Sequence, residues 1–369
     1  MKSLIITLLY SVVACESGPI NDHQNPMTSD VYNQSKVHVM QDTHQDPTHR
    51  DVYNQSKVHM LHDGRHQPEY YGYDSPPCPD AEDIAPCVCT YDSGVNAMNL
   101  NCSAVESQEQ LKQIFKADFQ IKNFREFRIQ ENNNIKVLES GVFNGISFEI
   151  IYMNNNNLEV IELQALNSCY ETATKIDLYG NKITSFPFDE VSLFSKLSYF
   201  AMNSNSLSVI PADAFHGLTA LEDLHIGDNH ADIVGTFQDL PNLRKITLYF
   251  NTLTTIPARF IQTGSSDLWY IGLDGNNIVS VEFGAIAIVD GGLVIDMTGN
   301  SLSTLEEATW RSYLEAGWVL YAEHNPLVCG CDIAWLFGEE RLLEQVDNFT
   351  KCTDGEYLHD LDPKIFDNC

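Results

Sequence analysis

From Phe124 onward the apolar positions of the chain recur in a fixed arrangement that always includes an asparagine. The arrangement is L-x-x-L-x-L-x-x-N-x-L, and Leu243, Ile246, Leu248, Asn251 and Leu253 follow it at every position. The asparagines lie 22 to 25 residues apart, which indicates a repeated structural unit. The nine members of this asparagine ladder are Asn132, Asn156, Asn181, Asn205, Asn229, Asn251, Asn276, Asn300 and Asn325.

The L-x-L core of each unit predicts a short strand with both apolar side chains on one face, because strand side chains alternate. One unit cannot bury this face alone, so the units should stack into a parallel sheet over a continuous core. The period and the template are those of leucine-rich repeats. We therefore predict an α/β fold class: a leucine-rich-repeat solenoid with a curved parallel sheet on its concave face and irregular or short-helical segments on its convex face. In the segment 210–218, Phe215 and Leu218 should face inward.

The asparagine of each unit should lie where the chain leaves the strand. There its amide can bond backbone groups that no strand partner reaches.

Eight of the ten cysteines fall in two groups of four, one at each end of the repeats. Each group allows three disulfide connectivities, and a zinc site is the main alternative. Cys15 and Cys169 are left over; Cys169 is either a buried free thiol or part of an intermolecular disulfide. We expect capping regions because a solenoid exposes its core at both ends. The predicted regions are an N-terminal cysteine-rich cap at 78–123, the repeats at 124–324 and a C-terminal cysteine-rich cap at 325–369.

The first 77 residues differ in composition from the repeats. Lys2 and the apolar run Leu4–Ala14 predict a signal peptide over 1–17, with a bacterial lipoprotein box ending at Cys15 as an alternative. Residues 18–77 predict a disordered, histidine-rich extension, in which DVYNQSKVH occurs twice with a 21-residue period. Its histidines suggest either copper or zinc binding, or an ordinary polar tail.

The formal net charge of −30, from 51 acidic and 21 basic side chains, excludes several classes of partner. Nucleic acid and anionic membrane surfaces both require clustered Lys and Arg. The charge favours cationic partners, and no stretch after the signal peptide is apolar enough to span a membrane. N-x-S/T motifs predict glycosylation, and the four acceptors are Asn33, Asn54, Asn101 and Asn348.

The variable strand positions should face the concave side and bind a partner, since exposed Tyr and Trp are common in binding hot spots. Some of these rings would instead only cover sheet edges. The predicted partner-binding face comprises Tyr152, Tyr179, Tyr199, His225, Tyr249, Phe250, Trp269, Tyr270, Asp274 and Tyr321, with Trp318 at an adjacent position.

The sequence contains no defensible catalytic constellation, and we expect no cofactor. One polar group, Asp223, His225, Asp228 and His230, suggests either a metal or acid–base cluster or ordinary surface polarity.

The repeats and cysteine groups resemble extracellular leucine-rich-repeat proteins with cysteine-rich caps. That resemblance implies disulfides that join the first cysteine to the third and the second to the fourth in each group. The implied pairs are Cys78 with Cys89, Cys87 with Cys102, Cys329 with Cys352, and Cys331 with Cys369. The N-terminal group departs from the family's tighter C-x-P-x-x-C spacing.

Within that group, the acidic balance, the Phe/Ile/Met repeats and the F-x-I-x-x-N start at Phe127 are similar to crustacean secreted proteins related to the non-catalytic subunit of Oplophorus-luciferin 2-monooxygenase. The resemblance implies a secreted, extracellular, non-catalytic protein that binds protein partners, such as an accessory subunit of a luciferase-like complex. The alternatives are an extracellular-matrix or adhesion protein and, from another class, an enzyme active on its own.

Overall fold

The main sheet of the protein runs through every repeat. The computed structural model describes residues 78–234, 237–287 and 292–369. The predicted signal peptide, the extension at 18–77, the acceptors Asn33 and Asn54, and Cys15 all lie outside these residues. Eleven strands form the sheet in sequence order: β1 Val88–Asp92, β2 Ala97–Asn101, β3 Asn123–Arg128, β4 Ser147–Tyr152, β5 Lys175–Asp177, β6 Tyr199–Ala201, β7 Asp223–His225, β8 Lys245–Thr247, β9 Tyr270–Gly272, β10 Val294–Asp296 and β11 Val319–Tyr321.

Strands β1 and β2 pair antiparallel, and every later neighbour pairs parallel. Each repeat contributes one strand, and each strand pairs with the strand of the next repeat. The predicted leucine-rich-repeat solenoid is therefore confirmed.

The returning segments carry short strands and helices. Paired two-residue strands join Val137–Leu138 to Val160–Ile161, Val209–Ile210 to Asp232–Ile233, Phe237–Gln238 to Ile261–Gln262, and Thr255–Ile256 to Ser280–Val281. The α-helices span Ala81–Ile84, Gln108–Ile114, Glu307–Glu315, Ala334–Phe337 and Glu340–Leu343. The 3₁₀ helices span Leu163–Cys169, Phe188–Leu193, Cys331–Ile333, Leu358–Asp360 and Pro363–Phe366.

The core lies between the sheet and the returning segments. The middle residue of each three-residue strand points into it, as Leu224, Ile246 and Ile271 do with no exposed surface. Phe215 and Leu218 close the core from the returning side, as predicted. Full burial of such a side chain stabilises the fold by about 1.5–3 kcal/mol, so the stacked repeats carry most of the stability.

The asparagine ladder connects each repeat to the one before it. All nine asparagines are only 3–8% exposed. The Asn276 side chain donates to the carbonyls of Leu248 (3.0 Å) and Leu273 (2.9 Å), and its Oδ1 accepts from the amides of Asn251 (3.1 Å) and Leu253 (3.3 Å). These are backbone groups beyond the strands, where no ladder partner is available, and burying them unpaired would be costly.

The residue before each ladder asparagine has a left-handed backbone, with φ between 48° and 65°. This conformation costs most residues about 1–2 kcal/mol and costs glycine little. Glycine occupies three of these nine positions. The nine residues are Glu131, Asn155, Gly180, Ser204, Asp228, Phe250, Gly275, Gly299 and His324.

Disulfides close both ends of the solenoid. The bonded pairs are Cys78–Cys89, Cys87–Cys102, Cys329–Cys352 and Cys331–Cys369. This is the connectivity that the resemblance to capped extracellular repeat proteins implied. Loop closure by disulfides constrains the unfolded chain, which stabilises the terminal repeats.

In the part of the chain that the structure covers, no helix combines the length and the apolar character that crossing a bilayer requires.

Candidate partner-binding face

The sheet presents one face to solvent, which we call the open face. Strand residues alternate, so the two residues that flank each buried centre point outward, as in Tyr199 and Ala201 around Phe200. Because the strands are in register, these residues form continuous rows across the sheet. A third row follows two residues beyond the strands and contains Tyr179, Asn203, Tyr249 and Asp274.

Cations lie over aromatic rings at the N-terminal end of the open face. The Arg128 guanidinium lies 4.4 Å from the Tyr152 ring centre, and the Lys175 ammonium lies 5.0 Å from the same centre. Lys175 is also 3.8 Å from the Tyr199 ring centre. Arg128 pairs in addition with Glu126. These contacts attract cations to ring faces by about 0.5–2 kcal/mol each, so this end holds cations on aromatic rings, and carboxylates such as Glu126 balance their charge.

The centre of the open face is a half-buried polar cluster. The Tyr199 and His225 ring centres are 5.2 Å apart, and His225 Nδ1 lies 3.0 Å from the Thr247 hydroxyl. Burial, together with Lys245 and Lys175, lowers the pKa of His225 to about 4. The imidazole is therefore uncharged at neutral pH. Burial also raises the pKa of Tyr199 to about 12, so its phenol keeps its proton.

Beside this cluster, Tyr249 lies flat on the backbone. Its hydroxyl accepts a hydrogen bond from the Asn203 amide (2.8 Å). A Cβ atom at Gly227 would lie 2.6 Å from the Tyr249 ring, so only glycine leaves room for the ring there. Tyr249 is thus held in place on the open face.

The C-terminal end of the open face carries carboxylates and exposed rings. The Tyr270 hydroxyl donates to Asp296 (3.2 Å), and Asp296 is buried, with 3% of its surface exposed. Burial and the neighbouring Asp296 raise the pKa of Asp274 to about 6. Phe250 and Trp269 lie at the same end of the face and are 51% and 46% exposed, with the Lys245 ammonium 5.8 Å from the Trp269 ring centre. This end is therefore acidic and aromatic.

The structure places all ten predicted partner-binding residues on or beside the open face. Tyr179, Phe250, Trp269 and Tyr321 are exposed, with 38–51% of their surface accessible. The other six are half-buried: Tyr152, Tyr199, His225, Tyr249, Tyr270 and Asp274. Their role in binding stays a prediction.

Trp318 corrects the sequence interpretation. It was expected on the open face because it immediately precedes β11, as Trp269 precedes β9. It is instead 1% exposed and stacks on Tyr313, with ring centres 4.6 Å apart. Tyr313 belongs to the helix Glu307–Glu315, which packs its aromatic side chains under the last repeat. Trp318 therefore contributes to the core.

The four polar residues Asp223, His225, Asp228 and His230 do not form one cluster, because β7 ends at His225. Asp223 and His225 point to the same side of β7, but Asp228 lies beyond the strand and accepts from the Ser204 hydroxyl (2.7 Å). His230 is exposed. Across residues 78–234, 237–287 and 292–369, no three His, Cys, Asp or Glu side chains are grouped closely enough to hold a metal ion.

Three further side chains clarify the sequence predictions. Cys169 is fully buried, and burial raises its thiol pKa to about 11. It is therefore a buried free thiol, and the alternative of an intermolecular disulfide is not supported.

Asn101 and Asn348 are both exposed, as glycosylation would require. Their modification stays a prediction.

One buried acceptor of the C-terminal cap was missed by sequence reasoning. Asp347 is 8% exposed, and its carboxylate accepts from the backbone amide of Ala322 (2.9 Å) and from the Thr350 hydroxyl. Val346 pairs with Leu320, so Asp347 is level with Tyr321 of β11 and not with the asparagine of that repeat. The repeat template therefore gave no signal for it.

Comparison with known proteins identifies the fold and the family. The profile described as leucine rich repeat matches residues 171–230. The Oplophorus-luciferin 2-monooxygenase non-catalytic subunit of Oplophorus gracilirostris is 33% identical over 319 residues, which cover 78% of this chain and 87% of that protein. Keratocan of Danio rerio is 28% identical over 158 residues, or 40% of this chain and 42% of keratocan.

Solved structures support the same fold. TLR13 in complex with ssRNA13 aligns with a TM-score of 0.50 and 24% identity over 61% of this chain and 31% of TLR13. The Toll–Spatzle complex of Drosophila aligns with a TM-score of 0.51 and 16% identity over 60% of this chain and 29% of the matched chain. The chain thus spans about a third of these larger repeat proteins, and at this identity the likeness concerns the fold alone.

Proposed function

The chain belongs to the leucine-rich-repeat family of the Oplophorus-luciferin 2-monooxygenase non-catalytic subunit, and from this premise we propose that it binds a protein partner through its open face and catalyses no reaction. The observation that carries the proposal is the set of exposed rings on that face. Phe250, Trp269 and Tyr321 are held on a rigid parallel sheet. Rigid aromatic side chains offer large contact areas at a low entropic cost, and binding hot spots are rich in them.

The half-buried centre supports the same proposal. His225 rests on the nearly buried Thr247, and the low pKa of its imidazole makes it a weak base at neutral pH. A general base works best when its pKa is near the working pH. The cluster is therefore better suited to contacting a partner than to proton transfer.

In its specific form, we propose that the protein is a secreted accessory subunit of a luciferase-like complex. The relationship to the non-catalytic subunit, over 78% of this chain and 87% of that protein, supports this form, and the four cap disulfides are compatible with an oxidising extracellular compartment. Adding Oplophorus luciferin to the purified chain should give no light above background. Strong emission from the chain alone would contradict the non-catalytic role.

The decisive experiment is affinity capture from the native secretion, followed by mass spectrometry. The test variant replaces three exposed open-face rings: Phe250→Ala, Trp269→Ala and Tyr321→Ala. The control replaces Phe283 and Leu193, which are 71% and 46% exposed and lie in returning segments between the strands of the main sheet. The wild-type chain and the control should recover the same partner, and the test variant should lose it. Equal recovery by all three would refute binding through the open face.

An extracellular-matrix or adhesion role is the second candidate, and the partial likeness to keratocan favours it. It predicts that the protein stays in the insoluble matrix fraction after salt and detergent extraction. Quantitative blotting of the two fractions separates the candidates, since an accessory subunit should be recovered in the soluble secretion.

A further inference from the structure

The two ends of the open face differ in whether cationic side chains of the protein offset the charge of their carboxylates. Towards the N-terminal end, burial is the larger influence on Asp177 and Asp223 and raises the pKa of both. Lys175 opposes this effect at Asp177, and Lys245, Arg244 and Lys175 oppose it at Asp223. These carboxylates therefore have cations of the chain itself beside them.

At the C-terminal end the carboxylates lack ion-pair partners. Lys245 lies over the aromatic rings there, 5.2 Å from the Tyr270 ring centre and 5.8 Å from the Trp269 ring centre. Within the described residues, neither Asp274 nor Asp296 forms an ion pair with a Lys, Arg or His side chain. The pKa of Asp274 is raised by burial and by the charge of Asp296, and no cation counteracts either effect. The half-buried Asp274 and the buried Asp296 therefore share one location without an ion-pair partner, an arrangement that a basic group at Asp274 would stabilise.

Exposed rings lie at the same end of the open face as these carboxylates. The Phe250 ring lies over Gly275, the residue after Asp274. Tyr321 is the residue of β11 that pairs with Asp296 of β10. Trp269 precedes β9 and is 46% exposed. Guanidinium groups stack on such rings and pair with carboxylates through planar, two-pronged hydrogen bonds. We call Phe250, Trp269, Asp274, Asp296 and Tyr321 the acidic-aromatic patch.

We propose that the acidic-aromatic patch binds a basic segment of the protein partner, with an arginine side chain against Asp274, whose negative charge the buried Asp296 reinforces, and apolar contacts to Phe250, Trp269 and Tyr321. This rests on the proposed function, because it names the chemistry of the partner for the same face. At the N-terminal end Arg128 already pairs with Glu126, and Lys175 offsets the charge of Asp177, so that end attracts a basic segment less and the difference fixes the segment's position on the face. The overall charge of −30 attracts the same partner from a distance.

The test uses a fluorescein-labelled peptide that alternates glycine and arginine, and a matched peptide that alternates glycine and glutamate. Fluorescence anisotropy at low ionic strength measures their affinity for the full chain. The test variant is Asp274→Asn with Asp296→Asn. The control, Asp177→Asn with Asp223→Asn, makes the same charge change on the same face.

We expect the arginine peptide to bind the wild-type protein and the glutamate peptide not to bind. The double variant Asp274→Asn with Asp296→Asn should weaken binding of the arginine peptide by about tenfold, and the control by less than about twofold. Equal weakening in both would mean that the peptide senses only total charge, and the proposal would be wrong.

A second measurement needs no variant. Hydrogen-exchange mass spectrometry of the wild-type protein with the arginine peptide should show slower exchange around β9 and β10 and no change around β5. Slower exchange confined to β3–β6 would overturn the proposal. Affinity capture of the partner distinguishes a failure of the basic-segment proposal from a failure of the proposed function. If the triple aromatic variant loses the partner but the double Asp variant retains it, the open face binds and only the basic segment is refuted.

Discussion

At the scale of single residues, the ladder asparagines show how one side chain can satisfy several buried backbone groups. Asn276 contacts two repeats at once, and each of its contacts replaces a hydrogen bond that the turn would otherwise lose. The net contribution of one such bond is about 1 kcal/mol, but leaving its partner unpaired costs about 1–3 kcal/mol. The asparagine therefore matters mainly because it keeps buried backbone groups hydrogen-bonded, and less for the net free energy that its own bonds contribute.

Replacing Asn276 with Ala should lower the free energy of unfolding by about 3 kcal/mol, because the amides of Asn251 and Leu253 lose their acceptor. Urea unfolding followed by circular dichroism measures this change. Asn242 is the matched control, since it is exposed and makes one hydrogen bond, to the Thr219 carbonyl. Asn242→Ala should cost less than about 1 kcal/mol, and similar losses at the two sites would contradict the role of the ladder.

Asp274 gives a second prediction at this scale, and its sign follows from the raised pKa. The folded protein holds the carboxyl proton with a pKa of about 6, against an ordinary value of 3.8. Ionised Asp274 therefore destabilises the fold fully above pH 6, and this effect disappears as the pH falls from 6 to below 3.8. Asp274→Asn should stabilise the protein by about 1–2 kcal/mol at pH 7.5, after allowance for partial exposure, and by little at pH 3.5.

Urea unfolding of wild type and variant at pH 7.5, 5.5 and 3.5 checks this dependence, with exposed Asp213→Asn as the charge-matched control. The control should change stability by less than about 0.5 kcal/mol at each pH. A stabilisation that grew toward low pH would show that the sign is wrong. If the same Asp274→Asn change also weakens arginine-peptide binding, the carboxylate is retained for binding at the expense of stability.

At the scale of elements, the turn after each strand links the backbone to the open face. Gly275 has φ +64°, and a Cβ atom there would lie 2.1 Å from the Phe250 ring. Gly299 occupies the same position of the next repeat with φ +65°, but its nearest neighbour is a backbone atom at 3.7 Å. The two glycines therefore separate backbone strain from steric conflict with the exposed ring.

Gly299→Ala should cost about 1–2 kcal/mol from the left-handed backbone alone. Gly275→Ala should cost more, because the methyl group must also displace the Phe250 ring. In the double variant Gly275→Ala with Phe250→Ala, the extra cost should vanish. Thermal unfolding of the wild type, Gly275→Ala, Phe250→Ala and the double variant measures the coupling, and equal costs for Gly275→Ala and Gly299→Ala would show that the ring does not constrain Gly275.

The elements also show which features the sequence could predict. Nine strands could be located because every repeat carries its own asparagine and apolar triplet, which is local information. The hairpin of β1 and β2 could not be located in the same way. Few of its residues are buried, Met98 and Leu100 among them, and its position depends on Cys87–Cys102. Trp318 was assigned to the wrong face because its burial depends on the helix Glu307–Glu315, a tertiary contact that the repeat template does not describe.

The open face was predictable only in part for the same reason. The template identifies which positions point outward, and all ten predicted partner-binding residues lie on or beside the open face. It does not describe how neighbouring side chains cover one another. Tyr249 lies flat on Gly227, whereas Phe250, the next residue, is half exposed. The difference in charge balance between the two ends likewise depends on which charges the register brings together.

At the scale of the whole molecule, the ladder has a direction. Each asparagine bonds its own repeat and the preceding one, so the last repeat would lack a partner on its C-terminal side. The C-terminal cap supplies it: Val346 pairs with Leu320 beside β11, and Asp347 accepts from the Ala322 amide. In solenoids, stability is roughly the sum of terms from each repeat and its nearest neighbours. A defect in the cap should therefore weaken the adjacent repeats first.

Asp347→Ala tests this consequence of the repeat architecture. The change leaves the Ala322 amide and the buried Thr350 hydroxyl without their acceptor, at a cost of about 1–3 kcal/mol for each group. Hydrogen exchange should rise strongly in β11, less in β10 and negligibly in β4, because each repeat contacts only its neighbours. Asp347→Asn keeps one side-chain oxygen as acceptor for the Ala322 amide and the Thr350 hydroxyl, but its NH2 group then faces the Phe349 amide, which donates to the second carboxylate oxygen in the wild type. Its exchange should therefore rise less than that of Asp347→Ala. A uniform rise through all strands in Asp347→Ala would instead mean that the solenoid unfolds as one cooperative unit, in which the cap acts on every repeat equally.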